Sequence, residues 1–284
     1  MAEYAAIDGV VIVTGASPMR SIGRACAIRA AELGADVVVT DIVRPADRIG
    51  EDEKRDSWEG LDAVVAQIEA LGRRAVAVNG DITDRAQVDE VVAAAGTLGR
   101  LTGLVNASRA FMREERIELV DMPDADWDHV MAVNLRGPLA CSAAAARVML
   151  DTGVAGSIVN ISSLSAVKPS PSGGAYCTSK AALDMLTQVM ALELAPSGIR
   201  VNAVRPGIIA TNRVSVEDRR QASAQGVDIL EYRQRWLEDR SAMIPLGRPA
   251  EPEEVASVVG FLLSPDSGYI TGERLTVSAG LAIR

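Results

Sequence analysis

Tyr176 and Lys180 stand four residues apart in Tyr-Cys-Thr-Ser-Lys, at the start of an apolar helical run. Four residues make about one helical turn, so the phenol and the ammonium share a face. A cation beside a phenol favours the phenolate, and a free phenol titrates at about pH 10. A tyrosine tuned this way exchanges a proton with an alcohol near neutral pH. Ser163 closes a β-like run over Ser157–Ser163, thirteen residues before Tyr176, and can hydrogen-bond the same oxygen. By itself a Tyr-x-x-x-Lys pair recurs by chance, as one side of a half-exposed helix. Its weight depends on the elements around it.

Those elements alternate. Val10 to Val13 is a short apolar strand, followed by a turn-rich segment from Thr14 to Gly23 and an Ala-rich helix to about Leu33. Asp36 to Thr40 is a second strand that ends at Asp41, which completes a βαβ unit. The polar stretch Ile42 to Ser57 reads as a surface insertion. Further helices are expected over Trp58–Leu71, Ala86–Ala95, Asp126–Leu150, Tyr176–Ala195 and Glu253–Leu263. Further strands are expected at Ala75–Val78, Leu101–Asn106, Ser157–Ser162, Ile199–Val204 and Arg274–Val277. Continuous apolar strands separated by helices imply a buried parallel sheet. The expected fold is α/β: one Rossmann-type, doubly wound domain over residues 1–284, with about seven parallel strands flanked by helices.

Composition narrows the function. Of 284 residues, 48% are hydrophobic and only 3% aromatic, so Ala, Val, Leu and Ile must build the core. A formal net charge of −9 argues against a nucleic-acid partner. No apolar stretch approaches the roughly 20 residues that span a membrane. The opening Met-Ala-Glu-Tyr lacks the regions of a signal peptide, so a cytoplasmic protein is expected. Three widely spaced cysteines, Cys26, Cys141 and Cys177, do not suggest a disulfide framework. His129 is the only histidine and reads as an ordinary helix residue. Its isolation argues against a His-based metal site or a Ser-His-Asp triad, and no metal is expected.

In an open parallel sheet, ligands bind beyond the carboxyl ends of the strands. The first such loop runs Thr14-Gly15-Ala16-Ser17-Pro18-Met19-Arg20-Ser21-Ile22-Gly23. Glycines there admit a pyrophosphate that the helix N-terminus attracts. Asp41 lies where an acidic side chain hydrogen-bonds ribose hydroxyls, and its charge would repel a 2′-phosphate. This favours NAD over NADP, although Arg20 in the loop is a cation that a 2′-phosphate could meet.

Taken in order, these pieces resemble the short-chain dehydrogenase/reductase family along nearly the whole chain. They are Thr14-Gly15…Gly23, Asp81-Ile82, Leu104-Val105-Asn106-Ala107, Asn134, Ser163, Tyr176…Lys180, Pro206-Gly207…Thr211 and Ile270-Thr271-Gly272. The resemblance implies an NAD(P)-dependent alcohol dehydrogenase or ketoreductase. It would transfer a hydride between NAD(H) and a secondary alcohol or ketone. Tyr176 would be the acid/base, Ser163 would orient the substrate oxygen, and Asn134 would support a water linking Lys180 to solvent. Lys180 would also hold the nicotinamide ribose. Asp81 and Ile82 would hold the adenine ring, Asn106 would line the groove, and Ile209 and Thr211 would contact the amide and phosphates.

The chain departs from the family pattern in places. The glycine loop is two residues longer than usual and carries Ser21 at the middle glycine, which is similar to enoyl-acyl-carrier reductases. In that branch the Tyr and Lys lie farther apart, so the four-residue spacing here favours carbonyl chemistry. The loop after the fourth strand ends in Ser108 in place of glycine, which implies that Ser108 or Arg109 reaches the substrate. Near the C-terminus Ser278-Ala279-Gly280 replaces Asp-Gly-Gly. A lid is expected over about residues 212–247. Its many charges, including Arg213, Glu217, Arg233 and Arg240, read as two solvated amphipathic helices rather than as a site for an acidic substrate. The two long helices after Asp126 and Tyr176 resemble those that pair into four-helix bundles, which implies a homotetramer. Two alternative functions remain: a catalytically silent NAD(H)-binding sensor and an enoyl-thioester reductase.

Overall fold

The computed structural model describes residues 5–45, 49–111, 117–211 and 216–284. The opening four residues, residues 46–48 of the expected insertion and Arg213 of the expected lid lie outside the described residues. Of Glu217 only the backbone is described.

The strands are β1 (Val10–Thr14), β2 (Asp36–Asp41), β3 (Ala75–Asn79), β4 (Leu101–Asn106), β5 (Ser157–Ile161), β6 (Arg200–Pro206) and β7 (Arg274–Val277). They form one seven-stranded sheet in the order β3-β2-β1-β4-β5-β6-β7, and every pairing is parallel. The chain winds outward from β1 to β3, then restarts at β4 on the other side of β1. Val13 therefore stands opposite Val39 of β2 and Val105 of β4. The switch point between β1 and β4 is where such sheets open a crevice.

The helices are α1 (Ile22–Glu32), α2 (Glu51–Arg55), α3 (Leu61–Ala70), α4 (Arg85–Leu98), α5 (Asp124–Met131), α6 (Gly137–Asp151), α7 (Gly174–Leu194), α8 (Val216–Gln225), α9 (Ile229–Ser241) and α10 (Pro252–Leu263); α1, α3 and α10 cover one face of the sheet, and α4, α6 and α7 the other. Strand pleating sends alternate residues to opposite layers. Val11 and Val13 join Ala27 and Ala30 of α1 and Val259 of α10, while Val10 and Ile12 join Val91 of α4 and Met149 of α6. Small Ala side chains let α1 lie close against α10 and the sheet, so a core almost without aromatics still fills.

The expected helix over Asp126–Leu150 is in fact two helices. A π-helical turn over Ala132–Arg136 separates α5 from α6, and Gly137 N–H bonds the carbonyl of Ala132. Pro138 stands in the first turn of α6. It has no N–H for the carbonyl of Asn134 one turn back, so the regular ladder must break there. The helix expected from Trp58 begins instead at Leu61, after Gly60 at φ 65°. The indole of Trp58 turns inward and donates to the Ser17 carbonyl at 2.8 Å.

Candidate active site

A groove of about 1600 Å³ crosses the carboxyl ends of the strands. Its floor begins where β1 ends. Gly15 has φ 71°, and a Cβ there would lie 2.7 Å from the Ser108 nitrogen. A Cβ on Gly23 would lie 2.2 Å from the Gly15 carbonyl oxygen, so the turn and α1 close on each other only as glycines. Ser21 needs no such freedom. Its backbone is extended, and its hydroxyl caps α1 by accepting from Arg24 N at 3.0 Å. The middle glycine of the loop is thus replaced by a good N-cap. Gly15, Ser21, Ile22 and Gly23 border the groove, where the first-turn N–H groups and helix dipole suit a pyrophosphate.

At the end of β2, the Asp41 carboxylate accepts from Ser17 N at 3.0 Å and Ile42 N at 2.9 Å. Burial raises its pKa, and these N–H groups and nearby Arg44 only partly offset that. The stretch after Asp41, expected as a surface insertion, packs inward instead. Glu53 of α2 is fully buried because its carboxylate meets four donors. It binds both terminal nitrogens of Arg44, at 2.8 and 2.9 Å, and the N–H groups of Gly50 and Met19, each at 2.8 Å. Burial alone would raise its pKa, but Arg44 and the two N–H groups outweigh that and hold it below the ordinary carboxylate value. Asp81 and Ile82 border the groove, and one Asp81 oxygen already takes the Thr83 N–H and hydroxyl.

Asn106 sits elsewhere than expected. It pairs in register with Asn160 of β5, and its amide donates to Ser142 and to Asn160, at 2.9 and 2.8 Å. Its side chain therefore lies beneath the groove, while Ala107, Ser108 and Arg109 border it. Thr14 holds that loop, accepting from Ala107 N and Ser108 N at 3.1 and 3.2 Å.

At the far end, Tyr176 opens α7 and Lys180 follows one turn later, both on the groove. Lys180 is buried; its ammonium donates to the Ile161 carbonyl at 2.8 Å and lies 5.9 Å from the centre of the Tyr176 ring. The Arg109 guanidinium lies 4.8 Å from the same ring. Burial, and then the charge of Arg109, lower the Lys180 pKa to about 7, against the opposing pull of Asp184. Ser163 borders the groove and caps a short turn, accepting from Ser165 N at 3.1 Å. Neighbouring Ser162 donates to the Lys180 carbonyl at 3.3 Å. Asn134 is buried in the π turn. Its oxygen accepts from Ala110 N at 2.8 Å, and its amide donates to Ser179 at 3.1 Å, whose hydroxyl donates to the Tyr176 carbonyl. It holds the Arg109 loop and the first turn of α7 together without itself lining the groove.

Ile209 and Thr211, after β6, line the groove, and Ala210 N between them donates to the Ala250 carbonyl at 2.8 Å. The lid helices are less solvated than their charge implies. Trp236 lies between Arg233 and Arg240, at 4.6 and 4.8 Å, and Arg233 pairs with Asp218 at 3.6 Å. These residues and His129 border the groove, and no spacing in the sequence marks them as such.

The donor set fits a nicotinamide dinucleotide: a helix N-terminus for the pyrophosphate, Asp41 for ribose hydroxyls, and a buried lysine beside a tyrosine at the other end. Together with a doubly wound sheet, this defines a nicotinamide-dependent oxidoreductase. The family described as "Enoyl-(Acyl carrier protein) reductase" matches residues 15–282. The NAD-dependent glycerol dehydrogenase of Listeria innocua is 34% identical over 99% of this chain and 97% of its own length. The L-rhamnose 1-dehydrogenase (NAD(P)(+)) of Azotobacter vinelandii is 37% identical over 98% of each chain. The crystal structure of acetoin dehydrogenase from Enterobacter cloacae matches with a TM-score of 0.76 and 33% identity, over 97% of this chain and 96% of that one. The chain belongs to the short-chain dehydrogenase/reductase family. It is an oxidoreductase of the alcohol-dehydrogenase type, acting on CH–OH groups by hydride transfer.

Proposed function

We propose that Tyr176 is the acid/base of an NAD-dependent dehydrogenase for small secondary alcohols, including vicinal diols and ketols. The observation that carries this reading is the Tyr176–Lys180 pair at the groove, with Lys180 buried 5.9 Å from the ring. When bound, NAD supplies the hydride acceptor. The chain supplies position and the proton path. Ser163 orients the substrate hydroxyl beside the Tyr176 oxygen. Tyr176 takes the hydroxyl proton as the carbon is oxidised, and returns it during ketone reduction. The cations of Lys180 and Arg109 stabilise the negative charge that develops on the phenol. Lys180 also holds ribose hydroxyls, and Asn134 fixes the backbone of Tyr176.

Asp41 supports NAD over NADP. Relatives named for glycerol, rhamnose and acetoin support a small polar substrate. The single seven-stranded sheet among the described residues supports a single domain. The free, buried cysteines fit the cytoplasm, and no helix of the described residues is long and apolar enough to cross a membrane. A homotetramer is favoured because α6 and α7 leave Leu139, Leu150, Met185, Val189 and Leu192 exposed. Light scattering that returns a monomer mass overturns the assembly.

Function is tested by incubating the protein with NAD and a panel of secondary alcohols, diols and sugars, followed at the NADH absorbance. NADH formation with a panel member is expected. Binding of NADH with no turnover of any member would point to a silent sensor. Consumption of NADH with a crotonyl thioester, and none with ketones, would point to an enoyl reductase.

A further inference from the structure

The end of the groove at Asp41 holds a charge cluster that hydride transfer does not use. Arg44 lies three residues beyond Asp41, and its Nε donates to the Ser17 hydroxyl at 3.0 Å. The N–H of the same Ser17 donates to Asp41 at 3.0 Å. Guanidinium and carboxylate thus meet at one residue, beside the position from which Asp41 would hold ribose hydroxyls. An arginine near this position is what accommodates the 2′-phosphate of NADP. Arg44 is not offered to it. Both of its terminal nitrogens bind Glu53 in a bidentate fork, and the side chains are 15% and 0% exposed.

Other cations on this part of the groove also have acidic partners. Arg20 pairs with Glu251 at 3.0 Å, and Lys54 and Arg219 both reach Glu51, at 2.8 and 3.6 Å. Those pairs are exposed and weakly held. The Arg44–Glu53 pair is buried, and Glu53 also fixes the long glycine loop through Met19 N at 2.8 Å.

Resting on the NAD reading above, we propose that Glu53 selects the cofactor: it withholds the Arg44 guanidinium from a 2′-phosphate and so keeps the site for NAD over NADP. Glu53 acts through Arg44 and the loop, as a positioning residue. Glu53→Gln keeps the volume and an acceptor oxygen but removes the charge that grips Arg44. A guanidinium released toward a phosphate forms charge-assisted hydrogen bonds that are strong relative to neutral ones.

The test is fluorescence titration of the full chain with NADH and with NADPH, without alcohol. Wild-type protein is expected to prefer NADH. In Glu53→Gln the ratio of the two dissociation constants should move toward NADPH by on the order of tenfold. In Arg44→Gln/Glu53→Gln that gain should vanish. A merely structural role for Glu53 would weaken both nucleotides alike and leave the ratio in place. If circular dichroism shows Glu53→Gln unfolded, Glu53→Met, which also removes the charge at similar volume, replaces it with the same expectation. An unmoved ratio in a folded variant overturns the role of Glu53, as does a gain that survives loss of Arg44. Wild-type protein that binds NADPH more tightly than NADH overturns instead the NAD reading on which the proposal rests.

Discussion

The two ends of the groove are built from different kinds of backbone. At the Tyr176 end the groups proposed to react stand on a regular element or are tied to one. Tyr176 and Lys180 share α7, and Asn134 bonds both Ala110 N and Ser179. At the Asp41 end, where we place cofactor selection, Arg44, Gly50 and Met19 converge from irregular backbone on one carboxylate. Proton transfer needs positions fixed to a fraction of an ångström, which helices provide. The proposed charge selection needs only that a cation be engaged or released, which one buried pair in a loop can do.

Breaking the Tyr176 end gives the larger effects. Below loss of the tyrosine itself, the largest is expected from Lys180→Met. Without the buried cation, kcat/KM for alcohol oxidation should fall by about 10²–10⁴-fold, the usual weight of acid–base assistance. The same variant carries a stability signature. Lys180 titrates at about 7 in the fold, and an unfolded lysine at about 10.4. Between these values the unfolded chain binds more protons, so wild-type stability should rise with pH across this window relative to Lys180→Met. Below about pH 7 the cost of burying the charge is felt in full. Urea midpoints of both proteins from pH 7 to 10 check the sign, and parallel curves would contradict it.

Asn134→Ala comes next. It leaves Ala110 N and Ser179 without their partner and should cost about 1–3 kcal/mol of stability, with a lower kcat. Unchanged denaturation would show that the tie is dispensable. The smallest change is Arg109→Gln. Removing that cation should move the Lys180 ionisation upward from about 7, visible as a shift in the pH profile of kcat/KM. A downward shift would reverse the electrostatic assignment.

The contrast between the ends also decides what could be read in advance. The sheet, its seven strands and the Tyr176–Lys180 face follow from periodicity and one helical turn, which sequence displays directly. The split of the long helix was visible in principle, because Pro138 stands inside it. The resemblance, and no strand pattern, put Asn106 on the groove, whereas registry with Asn160 sends its side chain below it. The Arg44–Glu53 pair left no mark. It joins two halves of a polar stretch with no period, where a buried glutamate looks like any surface charge. The Trp236 stack with Arg233 and Arg240 was hidden for the same reason.

Replacing Tyr176 with Phe keeps the ring against Arg109 and Lys180 and removes only the hydroxyl. Turnover of a secondary alcohol and the dissociation constant for NADH, measured on the same preparation, should separate: turnover nearly abolished, NADH binding retained. Turnover at the wild-type rate would contradict the assignment of the proton to this residue.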